Sequence, residues 1–231
     1  EIDSNDVLAS LGGLSSLHTV GGNLSVGHNS ALTTLSGLDR LSRLGDGLDV
    51  RGNDVLVDLD GLGGITVVTG NLSISDNQAL TSLHGLSNLE EVDGSLQIFQ
   101  CHALLSTEGL SSLRRVAESG PSGGLLINGN DGLLSIDGFS ALTHIDELFI
   151  FNNDALMSAV GFPLLSNVYT DLYVGYNSEL TEFAFPGLVT VDGRLVFTDN
   201  YSLCADDATE LVESITVGGR VTIERNYGEC L

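Results

Sequence analysis

Asparagine recurs along this chain at a nearly constant interval, and this interval constrains the fold more than any other feature. Successive positions lie 24, 24, 24, 24, 29, 23, 24, 23 and 26 residues apart. An interval of roughly 20 to 50 residues is typical of a solenoid, because a single turn cannot bury its own apolar face and must stack on its neighbours. The series, in which one cysteine replaces asparagine, is Asn5, Asn29, Asn53, Asn77, Cys101, Asn130, Asn153, Asn177, Asn200 and Asn226.

Each interval contains the same apolar pattern. Counted from an asparagine, leucine-type residues fall at offsets 3, 6, 9, 12 and 15, and again at 19 and 21. The segment 71–75 alternates apolar and polar residues, which is the period of a half-buried strand. The three-residue spacing elsewhere favours tight, irregular or 3₁₀-like turns over an α-helix. The pattern predicts a mainly β solenoid of about ten turns, in which one short strand per turn forms a parallel sheet.

The recurring asparagines are expected to point inward and form a ladder. An asparagine after each strand can hydrogen-bond the backbone of its own turn and of the neighbouring turns, which satisfies groups that the bend would leave buried and unpaired. Cys101 interrupts the series, and we expect it to be a buried free thiol.

The repeat unit Asn-x-x-Leu-x-x-Leu-x-Gly-Leu-x-x-Leu-x-x-Val-x-Gly-x-Leu-x-Ile resembles the receptor L-domain family, whose members are relatives of leucine-rich repeat proteins. The resemblance covers nearly the whole chain. It implies a right-handed β-helix, a sheet face that serves as a platform for ligands or partners, and a place in the extracellular part of a receptor or in a cell-surface protein. It implies no catalytic residues. The chain lacks the cysteine-rich modules and the tryptophan of the receptors.

The charge balance disfavours two classes of partner. Acidic residues number 31 against 8 arginines and no lysine, for a formal net charge of −23. Such a field repels nucleic acid and anionic membranes. The excess is either a solvated acidic shell or a means of recognising cations and basic partners. No apolar run reaches the roughly 18 residues of a membrane span, and the first four residues do not resemble a signal peptide, so we expect no membrane insertion by this chain.

The C-terminal segment departs from the repeat. We expect one solenoid over residues 1–231, with repeats in 1–202 and a cap in 203–231. An amphipathic run from Leu203 to Ile215, with acidic residues near its start, predicts a short helix. Cys204 and Cys230 are placed to form a disulfide that seals the cap, and the alternative is two thiols in a reducing cytoplasm. No matching cap is evident at the N-terminus.

One turn carries five additional residues in the region 117–124. Because insertions in solenoids form loops at one edge, this loop could overhang the sheet face as part of a binding site. A neutral insertion is the other reading.

A search for catalytic motifs finds no phosphate-binding loop, no nucleophile elbow and no paired Cys-x-x-Cys signature. One polar row nevertheless falls at offset 7 of four successive turns and has ligand types suited to a divalent metal. The alternative is an exposed polar position before a bend glycine. The row is Asp60, His84, Glu108 and Asp137.

The outward positions of the strands change character along the chain. In the first three complete turns they are polar or small, whereas from the fourth turn onward several are large and apolar. Because neighbouring strands lie about 4.8 Å apart, the large residues should form one stripe on the sheet. The alternatives are aromatic pairing that stiffens the sheet, and cover by the 117–124 loop. The stripe is Leu126, Phe149, Tyr173 and Val196, flanked by Phe99 and Phe151 and extended by Tyr176.

These features favour a non-enzymatic binding module, extracellular or on the cell surface, that recognises a protein or a glycan through the aromatic stripe and needs no cofactor. Self-association through the same face is a further outcome of such a stripe. A structural or adhesive spacer is the main alternative, given a stack of ten rungs that is about 45 Å long at a spacing of about 4.8 Å. A metal-dependent hydrolase that uses the offset-7 row is a remote third.

Overall fold

A ten-stranded parallel sheet runs the length of the molecule and forms its front face. A computed structural model describes residues 1–116 and 124–230. Each strand pairs with the strands of the turns before and after it, so the chain forms a β-solenoid of about nine turns. The strands, in order, are Ile2–Asp3, Leu24–Gly27, Leu48–Arg51, Leu72–Ser75, Leu96–Phe99, Gly124–Asn128, Glu147–Phe151, Leu172–Gly175, Leu195–Thr198 and Val221–Glu224.

The front strands form where leucine and isoleucine alternate with outward-facing residues. The register aligns each leucine with a leucine of the next turn, as in the row Leu48, Leu72 and Leu96. These side chains are almost completely buried. The single strand per turn predicted from the alternation is therefore confirmed for this face.

The segments with three-residue leucine spacing form more strands than the sequence predicts. Within the described residues, a seven-stranded parallel sheet covers a second side of the coil, and a three-stranded and a two-stranded sheet add to it. The seven strands are Val67–Val68, Glu91–Val92, Arg115–Val116, His144–Ile145, Asn167–Val168, Thr190–Val191 and Thr216–Val217. The smaller sheets contain Ser135–Ile136, Ser158–Ala159 and Glu182–Phe183, and Thr19–Val20 with Arg43–Leu44.

The expected 3₁₀ turns are present at Gly12–Leu14, His84–Leu86 and Glu108–Leu110. The core between the sheets is mostly leucine, isoleucine and valine. Phenylalanine replaces leucine in three later turns, where Phe139 stacks on Phe162 at 5.1 Å between ring centroids and Phe162 stacks on Phe185 at 5.4 Å. One continuous core thus extends through the turns, as stacking requires.

The asparagine ladder has the predicted geometry. Asn153 Oδ1 accepts the backbone N–H of Asn130 at 3.1 Å, and Asn153 Nδ2 donates to the carbonyl oxygens of Ile127 at 3.1 Å and Phe151 at 3.0 Å. The same exchange links Asn29 to Asn53 and Asn53 to Asn77. We call the ten residues of the series anchors. Every anchor asparagine from Asn29 onward binds backbone atoms of the preceding turn, and five of these eight also bind a carbonyl oxygen of their own turn, which leaves fewer buried polar groups unpaired.

A left-handed backbone residue precedes every anchor, which the sequence analysis did not predict. Glycine, the residue best suited to this conformation, occupies it only twice, at Gly52 with φ of 59° and Gly129 with φ of 67°. The turn that follows each front strand is therefore the same whichever residue stands there. The other eight are Ser4, His28, Asp76, Gln100, Asn152, Tyr176, Asp199 and Arg225.

Cys101 is a buried free thiol, as predicted. Its backbone N–H donates to Asn130 Oδ1 at 3.0 Å, so it keeps the ladder bond toward the following turn. Its sulfur lies 3.6 Å from the carbonyl oxygen of Phe99 and receives the backbone N–H of Asn77. Burial raises the pKa of the thiol to about 11. Sulfur is a weaker acceptor than an amide oxygen, so this rung is the weak point of the ladder.

The C-terminal cap also has its predicted form. An α-helix spans Ala205–Ser214, with Asp206 and Asp207 in its first turn. Cys204 and Cys230 form a disulfide across 26 residues, with 5.0 Å between their Cα atoms. Closing a loop of this size stabilises a fold by about 3 to 4 kcal/mol. In the first turn, Ile2, Leu8 and Leu14 are only partly buried.

We predict that Cys101→Asn stabilises the protein. An amide at this position can accept the Asn77 N–H and donate to Phe99 and Ile74, which adds about 1 kcal/mol to the free energy of unfolding. Chemical denaturation followed by circular dichroism measures the change, with Cys101→Ala as the control that removes the sulfur without supplying an amide. A lower stability for the asparagine variant than for the alanine variant would show that the ladder bonds do not determine the stability of this rung.

Candidate binding groove

The large outward residues of the front sheet lie side by side. The register pairs Leu126 with Phe149, Phe149 with Tyr173, and Tyr173 with Val196. In the adjacent outward row the order is Phe99, Asn128, Phe151 and Gly175. The alignment expected from the repeat is therefore present, and Asn128 separates the two flanking phenylalanines.

A groove of about 460 Å³ opens on this part of the sheet. Phe149, Tyr173 and Val196 form its floor on three neighbouring strands, and these side chains are half-buried. Tyr176 stands at one rim and is 47% exposed. The remaining lining residues are Phe151, Asn152, Asp171, Leu172 and Arg194.

Two predicted members of the stripe lie outside the groove. Leu126 lines a separate depression of about 170 Å³ together with Gln97, Glu147 and Phe149. Phe99 lies one strand further toward the N-terminus, next to Asn128 in the register. The structure thus concentrates Phe149, Phe151, Tyr173, Tyr176 and Val196 at one site.

Tyr173 is the centre of the aromatic cluster. Its ring meets the rings of Phe149 at 6.2 Å and Phe151 at 5.8 Å between centroids, both in edge-to-face contact. The aromatic pairing considered as an alternative for the stripe is therefore present, and the paired rings also line the groove. Burial raises the pKa of the Tyr173 phenol, and the nearby Tyr176 raises it further.

Gly175 makes room for the Tyr173 ring. A Cβ at Gly175 would lie 2.8 Å from Tyr173 Cε1 and 2.9 Å from its Oη. Such distances are shorter than ordinary van der Waals contact, so the ring lies over the glycine backbone. Gly175, two residues after Tyr173 on the same strand, therefore determines where the ring of Tyr173 can lie.

A salt bridge closes one side of the groove. Arg194 donates to Asp171 Oδ2 through Nε at 2.9 Å and Nη2 at 2.6 Å, and its backbone N–H donates to Asp171 Oδ1 at 2.6 Å. The hydrogen bonds from Arg194 hold the pKa of Asp171 below its usual value. Sequence reasoning missed this pair. The sequence does contain one indication of the pair, because Asp171 and Arg194 each stand directly before the first leucine of two successive front strands.

Asn152 forms part of the opposite rim. Its Nδ2 donates to Asn128 Oδ1 of the preceding turn at 3.1 Å. Asn152 occupies the left-handed position before an anchor, as Tyr176 does one turn later. Both side chains therefore leave the backbone at the same edge of the sheet.

Asp199 and Arg225 join the last two turns beside the groove. Arg225 donates through Nε to Asp199 Oδ1 and through Nη2 to Oδ2 at 2.7 Å. Thr198 Oγ1 also donates to Asp199 Oδ2 at 2.8 Å. The hydrogen bonds from Arg225 lower the pKa of the buried Asp199 to about 2.

The structure does not bring three ligand atoms of the offset-7 row within 4.8 Å of one another. Within residues 1–116 and 124–230, one group of three potential ligands has its ligand atoms within 4.8 Å of one another, and it is Cys204, Asp206 and Cys230. Its two sulfurs are joined in the disulfide. In the row itself, Asp137 accepts the hydroxyls of Ser106 at 2.7 Å and Ser135 at 3.0 Å. Metal binding by Asp60, His84, Glu108 and Asp137 stays a prediction.

The predicted loop at 117–124 lies outside the described residues except for Gly124, which begins a front strand. Its cover of the sheet face stays a prediction. Gly124 also borders the smaller depression beside Leu126.

Comparison with known proteins supports the resemblance read from the repeat. Residues 65–162 match the family model described as Receptor L domain. This is a family of binding domains found in extracellular parts of receptors. The match includes Phe149 and Phe151 but ends before Tyr173, Tyr176 and Val196. No curated protein and no solved structure matches the chain significantly.

Among the described residues, no helix is long and apolar enough to cross a membrane.

We predict that the Asp199–Arg225 pair contributes stability that depends on pH. The folded-state pKa of Asp199, about 2, lies below its ordinary value of 3.8. The contribution is therefore complete above about pH 4 and is lost as the pH falls toward 2. The free energies of unfolding of the native chain and of Asp199→Asn should differ most above pH 4 and converge in acid. A difference that stays constant from pH 6 to about pH 2 would contradict the prediction.

Proposed function

We propose that this protein is a non-enzymatic binding module, extracellular or on the cell surface, that recognises a protein or a glycan through the groove on its front sheet. The observation that carries the proposal is the groove itself, which gathers Phe149, Tyr173 and Val196 from three neighbouring strands on the outer face. The matched family, whose domains bind ligands, supports the same reading.

Core packing does not account for these side chains. The inward residues of the same strands, such as Leu148, Ile150 and Val174, fill the core and are completely buried. The outward residues add apolar area to a surface that is otherwise strongly acidic. Aromatic residues and arginine dominate the energetic centres of binding interfaces, and both kinds line this groove. Its volume is within the range of ligand sites.

The first turns of the same sheet provide an internal comparison. Their outward positions include Ser25, Asp49 and Ser73, and Ser25 donates to Asp49 at 3.3 Å. These strands have the same register and the same inward leucines as the strands of the groove. The aromatic side chains are therefore not a requirement of the fold.

A spacer function is the second candidate. The ten front strands span about 43 Å at about 4.8 Å a step, and the cap seals one end. A spacer needs this length but has no use for an apolar groove. The two candidates therefore differ in whether loss of the groove changes any interaction of the chain.

We predict that Phe149→Ala combined with Tyr173→Ala abolishes ligand binding and leaves the fold intact. Loss of two aromatic anchors should weaken binding by about 100-fold or more. The native chain would be screened against a glycan array and a displayed library of secreted proteins, and each hit measured again with the variant by a biosensor. Analytical ultracentrifugation would test self-association in the same pair of proteins.

Two further variants serve as controls. Asp49→Ala combined with Ser73→Ala alters the same outward positions in the first turns and should leave binding unchanged. Leu148→Ala opens a cavity in the core and should lower the melting temperature far more than the groove variant. Hits that bind the groove variant normally, or a groove variant that unfolds like Leu148→Ala, would refute the groove as the binding site.

A further inference from the structure

We infer that the ligand of the groove is a protein segment that inserts a large apolar side chain and carries basic residues beside it. This inference rests on the proposed function and specifies its ligand. Three observations support it: the apolar floor, the internal pairing of the polar side chains at the rim, and the charge of the surrounding surface.

The floor of the groove offers apolar contact over several strands. Tyr173 lies between Phe149 and Phe151, and Val196 continues the floor on the next strand. A leucine, phenylalanine or tryptophan side chain placed there loses its contact with water and meets aromatic rings on more than one side.

Polar side chains at the rim already bind one another. Arg194 is bound to Asp171 by three hydrogen bonds. Asn152 donates to Asn128. Tyr176 lies close enough to Tyr173 to raise the pKa of its phenol. A polar group that enters the groove loses its bonds to water and meets side chains that are already engaged in part with one another.

This pairing separates the two ligand classes. A sugar ring carries several hydroxyls, and burying a hydroxyl without a hydrogen bond is unfavourable. An apolar side chain has no such groups to satisfy. The groove is therefore better suited to an apolar side chain of a protein than to a pyranose ring.

The charge of the surface determines which residues of the ligand are favoured beside the inserted apolar side chain. The chain has 31 acidic residues against 8 arginines and no lysine. The two arginines near the groove are neutralised by carboxylates, Arg194 by Asp171 and Arg225 by Asp199 and Glu224. This surface would attract basic residues beside the inserted side chain and repel acidic ones. The main effect is on the rate of association.

Three synthetic peptides of equal length test the inference on the intact chain. The first has a central Phe-Leu pair with two arginines on each side, the second has the same pair flanked by glutamates, and the third has the arginines around two alanines. Fluorescence anisotropy measures their binding at low and high salt, and a panel of oligosaccharides is titrated in parallel.

We expect the first peptide to bind at least about 10-fold more tightly than each of the others and to weaken as salt increases. Tyr173→Ala should remove this preference. Tyr176→Ala, which alters an exposed rim residue, provides a second variant if the first is poorly folded. Ser73→Ala on an earlier strand should leave the binding unchanged.

Equal binding of the three peptides, no peptide binding, or binding that Tyr173→Ala and Tyr176→Ala leave intact would overturn the inference. An oligosaccharide that binds and is lost in Tyr173→Ala would also overturn it, yet would support the proposed function. The proposed function fails separately, if no ligand from either the array or the protein library depends on Phe149 and Tyr173.

Discussion

The structure depends on one repeated exchange of hydrogen bonds, in which the side chain of each anchor asparagine after Asn5 binds the backbone of the turn before it. The N–H of Asn130 is received by Asn153, and the N–H of Asn153 is received by Asn177. An anchor that is displaced along the strand loses these bonds in a buried site, where unpaired polar groups are costly. The ladder therefore keeps every front strand in the same register.

This register brings side chains together that lie more than 20 residues apart in the sequence. Segments of unequal length separate the anchors, and the longest separates Cys101 from Asn130. Even so, Leu125 pairs with Leu96, and Leu126 with Gln97. The pairing is thus kept across intervals of unequal length, so the outward rows remain continuous. The groove is a consequence of this continuity, because its floor consists of one residue from each of three turns.

The repeat predicts the features that recur in every turn. The front strands, the buried anchors and the alignment of Phe149, Tyr173 and Val196 follow from counting residues from each asparagine. The disulfide was predictable as well, since Cys204 and Cys230 lie at the two ends of the segment that departs from the repeat.

Features that do not recur were not predictable. The salt bridges of Asp171 with Arg194 and of Asp199 with Arg225 each join two positions that hold other residue types in other turns. The strands of the second sheet are two residues long, too short for an alternation to be visible. The side chains of the offset-7 row share a position in the repeat. The repeat nevertheless does not predict that Asp137 accepts the hydroxyls of two neighbouring serines.

The ladder itself can be tested directly by hydrogen exchange of single backbone amides, measured by NMR in the unliganded chain. The N–H groups of Asn53, Asn130, Asn153 and Asn177 donate to buried amide oxygens, so we expect them to be among the slowest to exchange. Asn77, whose N–H meets the sulfur of Cys101, should exchange faster than these four. Exchange of the four at the rate of exposed turn amides, such as that of Gly12, would contradict the account.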